Sequence, residues 1–257
     1  MVIKKLSFLF GLCLVIAFIG VVNTFLSRSV SGGSRFQSTV RIRSGDQHGS
    51  GVIVKQSHGG YWVITNHHVL ANVDVHCIET SGLNVYAGIR VPIDNFKDDL
   101  ALLWFNSKDD QVNVDFVVAA IEASNVKEPV TATGYSSGGE YAERPGLRIL
   151  LLNEGLVGGY NITYTSDIDK GMSGGGIFNS SDRLIGINAI HNDPLWDAPR
   201  YFKSGVLVPE SLNTKLDRFS IGLDSSLLLK YLLKASLKLE SLLVDDLAGD
   251  DCSALER

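Results

Sequence analysis

Short apolar runs recur from residue 39 to residue 209, and clusters of Gly, Asn, Asp and Ser separate them. About a dozen of these runs have the length and the Val, Ile, Thr and aromatic content of β-strands. They are TVRIR 39–43, GVIVK 51–55, YWVIT 61–65, VDVHCI 73–78, LNVYAGIRV 83–91, LALLWF 100–105, DFVVAA 115–120, VTATGY 130–135, LRILLLNEG 147–155, YNITYT 160–165, GGIF 175–178, RLIGINAI 183–190 and SGVLVP 204–209. No repeat of fixed period is present, which disfavours a propeller or a solenoid. The pattern predicts an all-β fold, either a sandwich or a pair of barrels.

Charge and cysteine content narrow the classes of partner. The formal net charge is −5 and Lys and Arg form no cluster, so nucleic acid is not expected as a partner. The cysteines are Cys13, Cys77 and Cys252, with no CxxC or Cys/His zinc spacing, and neither a metal nor another cofactor is expected. A Cys77–Cys252 disulfide is conceivable but not favoured, because Cys252 lies in a polar tail.

The N-terminal segment predicts a membrane anchor. After Lys4 and Lys5, residues Leu6 to Leu26 carry no charge, and about 20 such residues span a bilayer as a helix. The run is longer than the core of a signal peptide, and no clear cleavage site follows it. Lysines before the span favour a cytoplasmic N-terminus. We therefore expect an uncleaved anchor with the rest of the chain extracytoplasmic, periplasmic or lumenal; secretion after signal cleavage is the alternative.

Changes in composition predict the organisation of the chain. Residues 1–27 form the anchor or signal sequence, 28–37 a Ser/Gly/Arg-rich linker, and 38–210 the strand-rich domain. Leucines at helical spacing predict helices within 211–243, with Asp224 or Ser225 as an N-cap. We expect the leucine-rich helix to pack on the domain rather than to bind a partner. An acidic tail, 244–257, ends the chain.

The segment SDIDKGMSGGGIFN, residues 166–179, combines a nucleophile with a flexible backbone. The N–H groups of Gly171 and Ser173 can converge on one point and bind a developing oxyanion, each worth about 3–4 kcal/mol. Gly174 and Gly175 allow another chain to approach closely. A structural turn is the alternative for this segment taken alone.

Two other segments supply the partners that a nucleophilic serine needs. WVITNHHV places His67 and His68 directly after a strand, and histidine accepts a serine proton near neutral pH. In KDDLALLWF, Asp99 opens an apolar strand, where a carboxylate can fix the tautomer of an imidazole. The chain order His, Asp, Ser is one of the known orders of a catalytic triad. The histidine spacing of zinc proteases is absent, so a metal site is not expected.

These motifs resemble the chymotrypsin-like (trypsin-fold) serine proteases, and within them the bacterial HtrA/Deg-related trypsin-like peptidases. The similarity covers residues 38 to 210, roughly two-thirds of the chain. The matching segments are Gly49-Ser50-Gly51, Thr65-Asn66-His67-His68-Val69, Asp99 to Leu103 and Gly171 to Gly175, while LIGINAI 184–190 resembles the substrate-binding strand and SGVLVP 204–209 the last barrel strand.

The resemblance implies a double six-stranded β-barrel and a serine endopeptidase that acts on protein or peptide substrates. In that case His68 is the general base, Asp99 its orienting carboxylate and Ser173 the nucleophile, with the amides of Gly171 and Ser173 as the oxyanion hole. His67 is left as a solvent-facing neighbour. Homo-oligomers occur among these relatives, so such an assembly stays open. A catalytically silent binding module of the same fold is the alternative function.

Three features depart from the family pattern. Met172 stands where the digestive enzymes have the aspartate that pairs with a new N-terminus, so that zymogen switch is not expected. Gly176 stands where the bacterial group has proline, which should loosen the start of the strand. A leucine-rich helix, and not the PDZ module of many HtrA enzymes, is expected at the C-terminus.

The substrate pocket is expected around five residues. Asp167 lies six positions before Ser173, where trypsin-like enzymes have an acidic pocket floor. A buried carboxylate there would select Arg or Lys; an ordinary loop residue is the alternative. The walls would come from Ala189, Ile190 and His191, with Gly205 opposite.

Overall fold

The structure is a computed structural model that describes residues 33–57, 60–93, 97–107, 127–190, 200–239 and 252. All of them belong to one structural unit, residues 32–257. In this part of the chain, twelve strands close into two six-stranded antiparallel barrels. The all-β double barrel that the resemblance implies is confirmed, and a sandwich is wrong.

The first barrel closes in the order β1-β2-β3-β6-β5-β4. A short helix, α1 (Gly33–Ser38), precedes it. Its strands are β1 (Thr39–Ser44), β2 (Gln47–Ser57), β3 (Gly60–Thr65), β4 (Val75–Glu79), β5 (Val85–Arg90) and β6 (Ala101–Asn106).

The second barrel closes in the order β10-β11-β12-β9-β8-β7. Its strands are β7 (Pro129–Tyr135), β8 (Tyr141–Ile149), β9 (Ile162–Tyr164), β10 (Gly176–Asn179), β11 (Leu184–Ile190) and β12 (Ser220–Asp224). Helix α2 (Glu210–Leu216) precedes β12, and helix α3 (Ser225–Leu239) follows it directly.

Strand β3 shows why apolar runs, rather than strict alternation, mark these barrels. All six of its residues are buried. Because successive side chains of a strand point to opposite faces, Tyr61 and Val63 fill the first barrel while Trp62 and Ile64 pack outside it. The outer face meets the second barrel in a shared cluster, the junction core, which comprises Val52, Trp62, Ile64, Leu102, Trp104, Phe178, Leu184, Ile187 and Leu223 with the helix residues Leu228, Tyr231 and Ala235.

Helix α3 is fixed at its start and along one face. The Asp224 carboxylate accepts the backbone N–H groups of Ser226 and Leu227 at 3.1 Å each, so the N-cap predicted at Asp224 is confirmed. Leu228, Tyr231 and Ala235 lie in the junction core, as expected for a helix packed on the domain. Its other face is more open, since Leu229 and Leu233 are 43% and 66% exposed.

The last strand of the second barrel is β12, so the expectation that SGVLVP, residues 204–209, forms it is wrong. In that run Leu207 makes an isolated bridge with Tyr201, and Val206 and Leu207 are exposed. Both runs are short, apolar and followed by a helix, which the sequence pattern cannot separate. The barrel therefore continues beyond residue 210 to Asp224.

Of the other predicted strands, one has the wrong bounds and one lies outside the described residues. The run 147–155 is wrong in its bounds, because β8 is Tyr141–Ile149. Its residues are half-buried or exposed throughout, so hydrophobicity misplaces the strand towards the leucines that follow. The predicted strand 115–120 lies outside the described residues.

Helix α1 begins at Gly33, within the predicted linker 28–37. The helix is tied to the second barrel by Arg35, whose guanidinium lies 3.0 Å from Asp182 and 3.5 Å from Glu143. Phe36 packs edge-on against Tyr141, with 4.8 Å between ring centroids. These tertiary contacts override the low helix propensity of a Ser/Gly-rich segment.

Cys77 and Cys252 form a disulfide across 175 positions, which is the pairing that the sequence left conceivable but did not favour. Cys77 lies on β4, and both residues are buried. The neighbours of Cys252 in the sequence are polar, and the tail as a whole therefore does not resemble a buried segment. Cys252 alone can still pack against the barrel and bond to Cys77.

The predicted membrane anchor lies outside the described residues. Within the described part of the chain, the helices are too short or too polar to cross a bilayer.

Loss of the disulfide should lower the free energy of unfolding by about 2–5 kcal/mol, because the unfolded chain is then free of a cross-link that closes a long loop. The measurement is urea denaturation of Cys252→Ser beside the wild type, each with and without reductant. Reductant should destabilise the wild type and leave the variant unchanged. Equal stability of oxidised and reduced wild type would contradict the prediction.

A buried histidine makes the fold sensitive to acid. The Nδ1 atom of His76 lies 2.8 Å from the Ser44 hydroxyl, which also accepts the Ala71 N–H at 2.7 Å. The Ser44 hydroxyl can donate to Nδ1 or accept from it, depending on the tautomer of the ring, and Nε2 has no partner among the described residues. Burial, and then the positive charge of Arg90, lower the pKa of His76 below 6.5.

Because the folded protein holds His76 neutral, the unfolded chain takes up its proton at a higher pH. The free energy of unfolding should therefore fall as the pH drops through 6.5, by up to about 1.4 kcal/mol per pH unit from this group. Denaturation at several pH values measures the slope. His76→Asn, which keeps a polar atom near Ser44, should flatten it; an unchanged slope would refute the assignment to His76.

Candidate active site

The predicted catalytic residues lie at the ends of strands. His68 is in a 3-10 turn, His67–Val69, directly after β3 and Asn66. Asp99 lies just before β6, and Ser173 just before β10. Gly49 lies between this turn and the serine loop, the segment Gly171 to Gly175 that carries Ser173: a Cβ at Gly49 would lie 2.6 Å from Val69 Cγ1 and 3.2 Å from the Ser173 carbonyl oxygen. Only glycine lets these two segments come so close.

The Asp99 carboxylate holds His68 at two points. Its Oδ2 atom lies 2.7 Å from His68 Nδ1, and its Oδ1 accepts the backbone N–H of His68 at 2.9 Å. The Asp99 side chain is 9% exposed and that of His68 47%. Since an ionised carboxylate only accepts, the ring proton is assigned to Nδ1. Nε2 is then free to accept a proton.

The same carboxylate has a third donor. Tyr160, from the loop between β8 and β9, donates its hydroxyl to Asp99 Oδ2 at 3.0 Å. Burial, the charge of Asp99 and this hydrogen bond hold the pKa of Tyr160 well above its usual range, so the hydroxyl keeps its proton. Asp99 is thus contacted from both barrels.

Ser173 is partly buried, and its hydroxyl donates to the Ala189 carbonyl at 3.1 Å. Ala189 lies at an irregularity between β11 and β12: Asn188 pairs with Gly222 and Ile190 with Ile221, which leaves Ala189 as an extra residue, a β-bulge. To pass its proton to a base, the Ser173 hydroxyl has to turn away from this carbonyl.

Ser50 of the first barrel holds the serine loop by two hydrogen bonds. Its N–H donates to the Ser173 carbonyl and its hydroxyl to the Gly171 carbonyl, both at 2.8 Å. The hydroxyl also accepts the N–H of Tyr135 at 2.7 Å. With both carbonyls held, the N–H groups of Gly171 and Ser173 have no acceptor among the described residues. Gly171 has φ +99°, which residues with a side chain rarely adopt.

A buried asparagine supports the loop from the other side. The Asn188 amide donates to the Thr133 carbonyl at 2.8 Å and to the Met172 carbonyl at 3.3 Å, and accepts the Tyr164 hydroxyl at 2.8 Å. Its backbone pairs with Gly174 and Gly175. Met172, buried here, places its sulfur 3.3 Å from the Asp169 N–H.

The predicted pocket residues differ in their exposure to solvent. Ala189 is buried, Ile190 is half-buried at the end of β11, and His191 lies outside the described residues. Asp167 is exposed, so its carboxylate lacks the burial on which selection of a basic side chain depends. Gly205 is exposed on the segment before α2, with φ +84° and open space around it.

The other histidine of the doublet points to a different environment. His67 is exposed, and its Nδ1 accepts a hydrogen bond from Arg90 at 2.8 Å. It borders a cavity of about 570 Å³ that Arg90 and Tyr231 also line. Nowhere in the described ranges do three His, Cys, Asp or Glu side chains lie close enough to hold a metal ion.

Sequence reasoning missed three polar residues of the site. Ser50 lies within the motif Gly49-Ser50-Gly51, but the motif does not predict the hydrogen bonds of its hydroxyl. Asn188 could have been noticed as a polar residue in an apolar run, because such a residue needs hydrogen-bond partners when buried. Tyr160 gave no signal, since it is distant in sequence from Asp99.

A family model described as a trypsin-like peptidase domain matches residues 49–187. Among curated proteins, serine endoprotease DegS of Salmonella typhimurium is 28% identical over 208 residues, covering 76% of this chain and 52% of DegS. Serine protease Do-like HtrA of Lactococcus lactis subsp. cremoris is 32% identical over 168 residues, covering 61% of this chain and 40% of that protein. The chain spans about half or less of the length of these relatives.

Solved structures show the same fold at low identity. The Rv3671c protease of M. tuberculosis, in an inactive form, aligns with a TM-score of 0.57 and 17% identity, covering 82% of this chain and 94% of the other. The HtrA-type protease AlgW with tripeptide aligns with a TM-score of 0.58 and 21% identity, covering 79% and 63%. The matched range contains His68, Asp99 and Ser173, and the chain belongs to the trypsin-like peptidase family.

Proposed function

We propose that this protein is a serine endopeptidase that hydrolyses peptide bonds through Ser173, His68 and Asp99. The observation that carries the proposal is the two-point contact of Asp99 with the ring and the backbone of His68. A carboxylate in this position fixes the imidazole tautomer and stabilises the imidazolium that forms during the reaction. Membership of the trypsin-like peptidase family supports the same chemistry.

In the first half of the reaction, the Ser173 hydroxyl turns from the Ala189 carbonyl towards His68. Nε2 takes its proton as Oγ attacks the carbonyl carbon of the substrate. The oxygen of the tetrahedral intermediate gains negative charge, and the N–H groups of Gly171 and Ser173 donate to it. His68 then gives the proton to the leaving amine, which departs and leaves an acyl group on Ser173.

In the second half, water attacks the acyl carbon while His68 Nε2 accepts its proton. The same two amides stabilise the second tetrahedral intermediate, and the proton returns to Ser173 as the acid product leaves. Asp99 stays ionised throughout. The three residues therefore return to their starting protonation states after each cycle.

A peptide substrate would lie beside the end of β11. The carbonyl of Ala189, which is 3.1 Å from Ser173 Oγ, marks the strand that borders the nucleophile. Main-chain pairing with Ala189 and Ile190 would place the scissile bond over the serine. The roles of Asp167, His191 and Gly205 in specificity stay predictions, and so does assembly into a homo-oligomer.

We further propose that the barrels face an extracytoplasmic compartment. The Cys77–Cys252 disulfide supports this, because disulfides persist in oxidising compartments. The uncharged run from Leu6 to Leu26 behind two lysines supports attachment to a membrane.

A fluorophosphonate probe should label the purified protein at Ser173, because an activated serine hydroxyl attacks such a phosphorus centre as it attacks a peptide carbonyl. Mass spectrometry identifies the modified residue, and Ser173→Ala should remain unlabelled. Wild type that is folded but resists the probe would refute the endopeptidase and favour a catalytically silent binding module.

The histidine doublet provides a matched pair of controls for the same experiment. His68→Ala should reduce labelling and peptide hydrolysis by at least about 1,000-fold, since the general base is lost. His67→Ala should keep most of the activity, because its ring contacts Arg90 instead. The reverse result would show that His67, and not His68, is the general base.

Ser50→Ala should lower kcat by about tenfold or more with KM little changed, because the Gly171 carbonyl is no longer held and the amides lose their alignment. Steady-state hydrolysis of a peptide substrate measures both constants. Ser38→Ala is the control: this hydroxyl is also buried, but it donates to the Arg35 carbonyl away from the site. A kcat equal to that of the control would contradict the role of Ser50.

A further inference from the structure

A loop of the second barrel reaches across to the aspartate of the first barrel. The Asp99 N–H donates to the Gly158 carbonyl at 2.7 Å, and two residues later the Tyr160 hydroxyl donates to Asp99 Oδ2 at 3.0 Å. The loop that joins β8 and β9 therefore holds both the backbone and the side chain of Asp99.

The loop fits too closely for a side chain at its tip. Gly158 and Gly159 have φ +87° and +90°. A Cβ at Gly159 would lie 2.8 Å from the Cβ of Asp98. Beside this contact, Lys203 pairs with the Asp98 carboxylate at 2.7 Å. The approach of loop to aspartate is thus built into the backbone of the second barrel.

Packing fixes the position of the Tyr160 hydroxyl. The ring packs against both the junction core and a second cluster formed by Leu152, Leu156, Val208, Leu216 and Ile221. The Tyr160 carbonyl also accepts the N–H of Leu156 at 2.8 Å. A ring held in this way has little freedom, so its hydroxyl is a fixed donor.

We propose that Tyr160 is a positioning residue, which keeps Asp99 in the orientation that aligns His68 with Ser173. Asp99 Oδ1 has one donor and Oδ2 has two, and Tyr160 supplies the only side-chain donor from the second barrel among the described contacts of this carboxylate. Without it, a nearly buried carboxylate has a vacant acceptor site and can rotate or admit water. The His68 ring then loses its fixed partner.

The inference rests on the proposed function, and its first test is kinetic. Tyr160→Phe keeps the ring and removes the hydroxyl alone. We expect kcat for a peptide substrate to fall about tenfold while KM changes less than about twofold, because the hydroxyl does not touch the substrate. An unchanged kcat, or a loss confined to KM, would overturn the proposal.

Tyr141→Phe is the matched control. Tyr141 is also a tyrosine of the second barrel whose hydroxyl donates to a carboxylate, Glu143, at 2.8 Å. It lies on β8, and its described contacts are with Glu143, Phe36 and Tyr135. This variant should keep the wild-type kcat, and an equal loss in both variants would reduce Tyr160 to a general structural role.

A second readout does not depend on activity. The Nδ1 proton of His68 should give a downfield NMR resonance, protected from exchange by its bond to Asp99. In Tyr160→Phe this resonance should broaden or disappear, because a mobile carboxylate exposes the proton to water. A resonance as sharp as in Tyr141→Phe would overturn the positioning role. If Ser173 proves unreactive, the endopeptidase proposal fails while this measurement still tests the contact.

The Asp99→Asn background separates a direct effect from an indirect one. If Tyr160 acts through the carboxylate, adding Tyr160→Phe to Asp99→Asn should change residual turnover by less than about twofold. A further tenfold loss in the double variant would show that Tyr160 acts by another route and would refute the proposal.

Discussion

The two hydrogen bonds from Ser50 to the carbonyls of Gly171 and Ser173 join the barrels at the point where the proposed chemistry takes place. Neither barrel contains a complete site: the first provides His68 and Asp99, and the second provides Ser173 and its loop. Small relative movements of the barrels would therefore separate base from nucleophile. Burial of apolar side chains in the junction core holds the barrels together, but it is non-directional and does not fix their relative orientation. Hydrogen bonds have a defined geometry and therefore determine how the two barrels are aligned.

Contacts in the opposite direction complete this arrangement. The second barrel holds Asp99 through Gly158 and Tyr160, just as the first barrel holds the serine loop through Ser50. Each half of the site is thus supported by the barrel that does not carry it. Asn188 adds a support within the second barrel, linking the Met172 carbonyl to strand β7. Buried polar groups of this kind are costly unless paired, so their pairing favours a single arrangement of the loop.

The strands and the three motif residues could be predicted because short apolar runs and local motifs carry that information in a few adjacent residues. The end of the barrel could not, since residues 204–209 and β12 look alike, and only pairing with β9 and β11 distinguishes them. The disulfide was not favoured and Tyr160 was missed for a related reason: both depend on which distant residues meet. Cys252 lies 175 positions from its partner, and Tyr160 contacts an aspartate 61 positions away. Such contacts follow from the closed topology and not from local composition.

The bulge at Ala189 affects whether an extended polypeptide can pair with the barrels. Closed barrels leave no free strand edge, and this protects them from pairing with stray extended chains. At the bulge, however, one residue of β11 has no opposite partner in β12. Its carbonyl faces Ser173 and not another strand. If the proposed endopeptidase pairs its substrate with this carbonyl, the substrate has to be an extended chain, and segments that are already folded into helices or sheets would be protected from cleavage.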